Sequence, residues 1–389
     1  MSLPNDIIKS IRNVVGKQKH HLHEPLFLGN EIKYLKKTIT TNLVSSVGPF
    51  VQKFENQITK FTRSKYAISV VNGTEALHLS LVACGVKNND EVLVPTITFV
   101  GTANAIVYSG AIPHFVDSES ETLGIDPLKL EKYLEKITIK KGKFYFNKKT
   151  KRKIRAIIPV HVFGNICQIH RILKIAKKYN LLVIEDAAEA LGSFCKNKHS
   201  GTFGIIGCFS FNGNKILTTG GGGAIITNNK LLAKKIKHLS STAKIEHRWE
   251  YVHDIVGYNF RMPNLNAALG SAQIENLNKF LKSKRKLFLR YCKEFLKVNN
   301  VRLIQNPESS KSNNWLNTIF IKNSSIKKRN KVLSLAQKNQ IFLRPVWKPL
   351  HQLKHFRCMP KMNLENAKKI YISCINLPSS SHYFFDEKL

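Results

Sequence analysis

Between Pro25 and about Ala243 the chain alternates two hydrophobic rhythms. Short apolar runs at 67–71, 91–94, 114–116, 156–160, 181–184, 207–211 and 224–227 are separated by stretches whose apolar residues recur at helical spacing. Short apolar runs bounded by turn residues read as buried strands, and the longer periodic stretches as helices. The alternation predicts an α/β sheet covered by helices on both faces. Beyond a loop at 244–262, Asn264 to Leu296 reads as one long helix, followed by strands at 317–321 and 341–345 and further helices. We therefore expect three regions: a short amphipathic helix with a His-rich connector (1–25), a large α/β domain (26–255) and a smaller C-terminal α+β domain (256–389). No internal repeat is visible.

Length and composition fit this division. At 389 residues with 43% apolar residues, the chain exceeds the size at which one core usually stops growing. The formal charge of +37 raises the question of nucleic acid. Most of the excess is lysine scattered along amphipathic helices, such as Lys174 to Lys178 and Lys279 to Lys286, which reads as a solvated face with no nucleic-acid partner. The densest basic run, Lys140 to Arg155, interleaves aromatics and reads as an exposed hairpin. Its positive field would steer an anionic substrate. Seven dispersed cysteines without a CxxC pair point to reduced thiols in a cytoplasm. No run approaches the ~20 apolar residues of a spanning helix, so a soluble protein without a membrane partner is expected. His20, His21 and His23 lack a carboxylate or cysteine to complete a metal site and read as a surface connector.

The chemistry-bearing segment is Ser210 to Gly223, which follows an apolar strand and places Lys215 ahead of four consecutive glycines. Such glycines let bulky planar groups approach the backbone, and burial favours the neutral amine that attacks carbonyls. Upstream, the strand 181–184 ends in Glu185 and Asp186, at the carboxyl end where α/β sheets bind ligands. A lysine amine and an aspartate for a pyridine nitrogen form the signature of pyridoxal 5'-phosphate (PLP). A third segment, Val70 to Ser80, runs strand, Gly turn, helix start. Gly73, Thr74 and Glu75 would seat the cofactor phosphate on backbone donors and the Thr74 hydroxyl, although an ordinary helix cap explains the same residues in isolation.

These segments resemble a known family. Gly29-Asn30-Glu31, Val44 to Gly48, Asn72 to Ala76, Pro95 to Ala105, Glu185 to Gly192, the Lys215 segment and Gly257 to Ala268 occur in the order found in fold-type I, PLP-dependent nucleotide-sugar aminotransferases of the DegT type. The resemblance implies a large domain with a mixed, mostly parallel sheet between helices and a smaller C-terminal α+β domain. It implies that Phe99 stacks on the cofactor ring, with core packing as the alternative. Ser210 would bind its phosphate, with a backbone-bonded serine as the alternative. Glu189, where many members carry Gln, would touch the 3-hydroxyl in an open protonation state. It further implies a homodimer with shared active sites, in which Asn259 reaches the partner's cofactor phosphate. Arg261 beside it is a substrate contact or an interface ion pair. Trp315, Arg344, Trp347, Lys348 and His351 form a polar and aromatic set that would contact substrate or pack the small domain.

Within the family, Leu239 to Lys244 and Trp249 to Asp254 resemble the branch acting on 4-keto-6-deoxy-2-acetamido sugars in legionaminic acid and bacillosamine pathways. The implied activity is transfer of an amino group from L-glutamate to C4 of a nucleotide-linked 4-keto-6-deoxy sugar, first a UDP-linked 2-acetamido sugar. The alternatives are a GDP-perosamine-type synthase, a GDP-linked acetamido sugar as substrate, and a catalytically silent PLP-binding regulator. Lys215 speaks against a related 3-dehydratase, which carries histidine at that position.

Overall fold

The computed structural model describes residues 2–385. A nine-stranded sheet holds β1 (Tyr66–Val70), β2 (Glu91–Pro95), β3 (Ile112–Val116), β4 (Thr138–Lys141), β5 (Phe144–Asn147), β6 (Lys153–Ile157), β7 (Leu182–Asp186), β8 (Ile206–Ser210) and β9 (Gly223–Thr227). Its main path runs β1-β9-β8-β7-β6-β2-β3. Strands β8, β7, β6, β2 and β3 pair in parallel, and β9 pairs antiparallel with both β1 and β8. The expected mixed, mostly parallel sheet is thus observed.

Burial on both faces explains why these strands read as continuous apolar runs. Side chains alternate across a strand. Along β2, Val92 and Val94 enter one hydrophobic cluster while Leu93 enters another on the opposite face. Helices α1 (Leu3–Val15), α2 (Glu31–Thr40) and α3 (Pro49–Thr62) precede β1, and the first cluster includes residues of α4 (Gly73–Ala83) and α5 (Val100–Tyr108). The second takes Leu130 and Leu134 of Pro127–Ile137 and Ile169, Ile172, Ile175 and Ala176 of Ile169–Lys178. The spacing of those isoleucines puts one apolar stripe on the sheet and leaves the helix lysines in water.

The run 140–155 forms the expected hairpin. β4 and β5 pair antiparallel, and β5 continues onto β6. A fully buried carboxylate anchors it: Glu91 accepts hydrogen bonds from Asn147 Nδ2 at 3.0 Å and His114 Nδ1 at 2.8 Å.

A second, four-stranded antiparallel sheet contains β10 (Val301–Leu303), β11 (Thr318–Ile321), β12 (Arg344–Pro345) and β13 (Cys374–Asn376) in the order β10-β11-β13-β12. The 32-residue helix Asn264–Phe295 serves both regions. Ala267, Ala268, Leu277 and Phe280 join the first cluster, whereas Leu287, Tyr291 and Phe295 join a third with Ile7 and Ile11 of the N-terminal helix Leu3–Val15.

The His-rich connector departs from expectation. His20 is buried, its ring lying between Gly16 O and Tyr383 OH, and its backbone N–H donates to Gln340 O. The His23 ring nitrogens are also buried, and neither has a hydrogen-bond partner among the described residues. Only His21 is exposed. The connector is clamped by long-range contacts that no local pattern reveals. Among the described residues, no helix is long and apolar enough to cross a membrane.

Candidate active site

The carboxyl ends of the parallel strands open into a cavity of about 310 Å³. Gly73, Thr74, Phe99, Asp186, Glu189, Ser210, Lys215 and Trp315 all line it. All but Trp315, which precedes β11 of the second sheet, arrive by a strand end or by the turn that follows. Asp186 is the last residue of β7 and Ser210 the last of β8. Lys215 sits in the loop beyond Ser210, its N–H donating to Asn212 O at 2.9 Å. Parallel strands bury their flanks, so a ligand can reach them only at these ends.

Thr74 lies in the first turn of α4, where Asn72 caps the helix by accepting from Glu75 N at 2.8 Å. The remaining N-terminal amides face a pole of positive potential suited to an anion. Glycine at 73 is required by contact: a Cβ there would stand 2.8 Å from Ser210 Cβ. Gly101 serves similarly, since its Cβ would stand 2.6 Å from Thr74 Oγ1 and 3.1 Å from the Phe99 ring. Phe99 remains 56% exposed at the cavity mouth.

Asp186 is almost fully buried. Its Oδ2 accepts from Thr102 Oγ1 at 2.7 Å and its Oδ1 from Ala188 N at 3.1 Å. Burial pushes its pKa above the ordinary carboxylate range, opposed by those two hydrogen bonds and the Lys215 charge. Burial likewise raises Glu189, opposed by the Lys215 charge and by the Phe163 N–H, which donates to Glu189 Oε2 at 2.8 Å. Lys215 Nζ lies 3.4 Å from Glu189 Oε1 and 3.8 Å from the centre of the Trp315 ring. The amine is thus held between a carboxylate and an aromatic face, both of which attract a cation. Trp315 is fixed in turn: its indole N–H donates to Asn214 O at 2.7 Å, and its carbonyl accepts from Lys284 Nζ at 3.1 Å.

Trp347 of the C-terminal set also lines this cavity, whereas the remaining expected residues lie outside it. The Glu75 side chain turns to His78 Nδ1 at 3.3 Å. Arg261 pairs with Glu55 Oε1 of its own chain at 3.0 Å. Asn259 is exposed and bridges to Ser241, Arg344 is exposed on β12, and His351 Nδ1 lies 2.8 Å from Thr96 Oγ1. Trp249 and Tyr251 of the segment 249–254 are also exposed. Sequence reading gave no role to Thr102 or Asn214, and it put Lys284 on a solvated helix face, whereas that side chain is fully buried. Thr102 alone carried a local signal, four residues after Thr98.

These residues fit pyridoxal phosphate. An amine for its aldehyde, a buried carboxylate for its ring nitrogen and a helix N-terminus with two hydroxyl side chains for its phosphate share one cavity. The glycine contacts keep that floor free of methyl groups. The sequence profile of the DegT/DnrJ/EryC1/StrS aminotransferase family matches residues 28–387. A GDP-perosamine synthase of Escherichia coli O157:H7 is 38% identical over 335 residues, 85% of this chain and 85% of the relative. One of Caulobacter vibrioides is 36% identical, covering 91% of each. Among solved structures, a Helicobacter pylori aminotransferase involved in the biosynthesis of pseudoaminic acid superposes with a TM-score of 0.84 at 25% identity, covering 94% of this chain and 95% of that one.

Proposed function

From a chain that belongs to the DegT/DnrJ/EryC1/StrS family of PLP-dependent sugar aminotransferases, we propose that Lys215 serves an amino transfer from L-glutamate to C4 of a nucleotide-linked 4-keto-6-deoxy sugar. The observation that carries the proposal is the convergence of the Lys215 amine, the Asp186 carboxylate and the first turn of α4 on one cavity. When bound, pyridoxal phosphate would supply an electron sink in its ring and an aldehyde carbon on which an amino group can be carried.

Lys215 would hold the resting cofactor and, once released, move the proton at the reacting carbon in both half-reactions. Trp315 and Glu189 give the released amine a defined place, 3.8 Å and 3.4 Å from Nζ. Asp186 would keep the ring nitrogen protonated by offering a fixed negative partner. Gly73, Thr74 and Ser210 would hold the phosphate, and Phe99 would cover the ring. In a homodimer, exposed Asn259 would complete the partner's phosphate site. The large exposed apolar side chains Tyr108, Trp249, Tyr251 and Val256 support an interface of that kind.

The names of the Escherichia and Caulobacter relatives favour a GDP-linked sugar such as the substrate of a GDP-perosamine synthase. The second reading, a UDP-linked 2-acetamido sugar, draws support from the segments 239–244 and 249–254. Incubation of the PLP-loaded protein with glutamate and GDP- or UDP-linked 4-keto-6-deoxy sugars, read by mass spectrometry, separates the two. Amination of neither class would refute the substrate reading. Lys215→Ala should abolish turnover and borohydride fixation of the cofactor, and a variant still labelled at other positions would remove Lys215 from its role.

A further inference from the structure

We propose that Thr102, oriented by Thr98, is the positioning residue that holds Asp186 as an ionised partner for the cofactor's ring nitrogen; this rests on the role for Asp186 proposed above. The direction of the hydrogen bonds follows from chemistry. An ionised carboxylate only accepts, so the Thr102 hydroxyl, 2.7 Å from Asp186 Oδ2, must donate to it. Its single proton is then spent, and the 2.8 Å contact with Thr98 Oγ1 can be made only by Thr98 donating to Thr102. A one-way chain therefore runs from Thr98 through Thr102 to Asp186. Each hydroxyl polarises the next, and both threonines are about 1% exposed, so water does not compete.

Backbone position reinforces the chain. Thr102 is the third residue of α5, so the carboxylate lies against that helix's first turn, where the macrodipole favours an anion. Among the described residues, Ala188 N is the only other donor to the Asp186 carboxylate, and it binds the other oxygen. Removing the Thr102 hydroxyl leaves Oδ2 without this donor in a buried site. The proton shared with a bound pyridine ring would then shift toward the carboxyl group, weakening the charged contact. This effect requires a ring nitrogen, which separates it from any packing role of Thr102.

The test uses the full-length protein stripped of cofactor, with quenching of intrinsic tryptophan fluorescence as the readout. Two of the three tryptophans, Trp315 and Trp347, line the cavity. Dissociation constants are measured for PLP and for 1-deazapyridoxal phosphate, in which C–H replaces the ring nitrogen. Thr102→Val should weaken PLP about tenfold, as loss of a hydrogen bond to a charged group predicts, and leave the deaza compound unchanged. Thr102→Ser should restore PLP binding, and Thr98→Val should give a smaller, equally selective loss. Equal weakening of both compounds by Thr102→Val, or no weakening of PLP, overturns the proposal. Should the valine variant not fold, an unselective or absent effect of Thr98→Val overturns it instead. Asp186→Asn is the control: if it too fails to distinguish the two compounds, the role of Asp186 itself falls. If it distinguishes them while the threonine variants do not, only the threonine chain is lost.

Discussion

Replacing Glu185 by Gln tests how the end of β7 is held, independently of any ligand. The fully buried Glu185 carboxylate accepts four hydrogen bonds. Oε1 takes Phe203 N and Gly204 N at 2.6 Å each, and Oε2 takes Gly201 N and His161 Nε2 at 2.8 Å each. Glutamine keeps the shape but has one accepting oxygen. If its amide nitrogen replaces Oε1, two backbone N–H groups face a donor. If it replaces Oε2, Gly201 N loses its acceptor, and His161 can accept from the new amide only by moving its proton to Nδ1, which breaks the bond from Cys167 N. Either placement strands two buried donors. At ~1–3 kcal/mol for each stranded group, the loss should be about 2–6 kcal/mol. Urea unfolding of the cofactor-free protein, followed by far-ultraviolet circular dichroism, measures it. A destabilisation below ~1 kcal/mol would mean that the donors find other partners and that the loop 199–205 is not fastened by this carboxylate.

Cofactor-free Asp186→Asn should be more stable than the wild type near neutral pH. Burial raises the folded-state pKa of Asp186, so its stabilising contribution is fully present below the ordinary aspartate pKa of about 4 and is lost as pH rises through the raised value. Thermal melts from pH 4 to 7 should therefore show the two proteins diverging with rising pH, and parallel curves would contradict the assignment. Gly73→Ala should weaken PLP at least about tenfold in equilibrium binding, because a Cβ 2.8 Å from Ser210 Cβ forces the first turn of α4 out of place. Unchanged affinity would separate this turn from the phosphate site. Trp315→Phe preserves an aromatic face for the Lys215 amine and should cost only a few-fold in kcat, whereas Trp315→Ala should cost roughly 10-fold or more. Equal effects of Phe and Ala in steady-state assays would refute the cation-face role.

The difference between what was legible in the sequence and what was not follows chain distance. Lys215, Asp186 and Gly73 were readable because each belongs to a strand end and its turn, and a parallel sheet carries all such ends to one edge. The long helix and the basic hairpin were readable from local periodicity. Trp315 was recognised as an aromatic of the C-terminal set, yet its place over Lys215 depends on a hydrogen bond to Asn214, 101 positions away. Glu185 looked like a neighbour of the site residue Asp186, but its partners come from the loop 201–204 and from His161. The connector histidines misled for the same reason: polar residues in a short linker suggest water, while tethers such as Ser379 N to Leu22 O at 2.7 Å pull that linker inward.

Those remote contacts also join the second sheet to the chemistry. Asn313, just ahead of β11, donates through Nδ2 to both Glu189 O and Leu191 O at 2.9 Å, while its Oδ1 accepts from Trp315 N at the same distance. One amide therefore fixes the backbone of the residue whose carboxylate lies beside Lys215 and of the residue whose ring covers it. Lys284 supports the same point from below, its buried amine donating to the carbonyls of Trp315 and Ser379. Burying an amine without a carboxylate is costly, and burial here drives its pKa well down. That cost is localised where the long helix, the C-terminal strand segment and the Lys215 cage meet. The C-terminal region is therefore part of the frame of the Lys215 cavity: a shift of the second sheet would move Trp315 and Glu189 together, and with them the aromatic face and the carboxylate that lie 3.8 Å and 3.4 Å from the Lys215 amine.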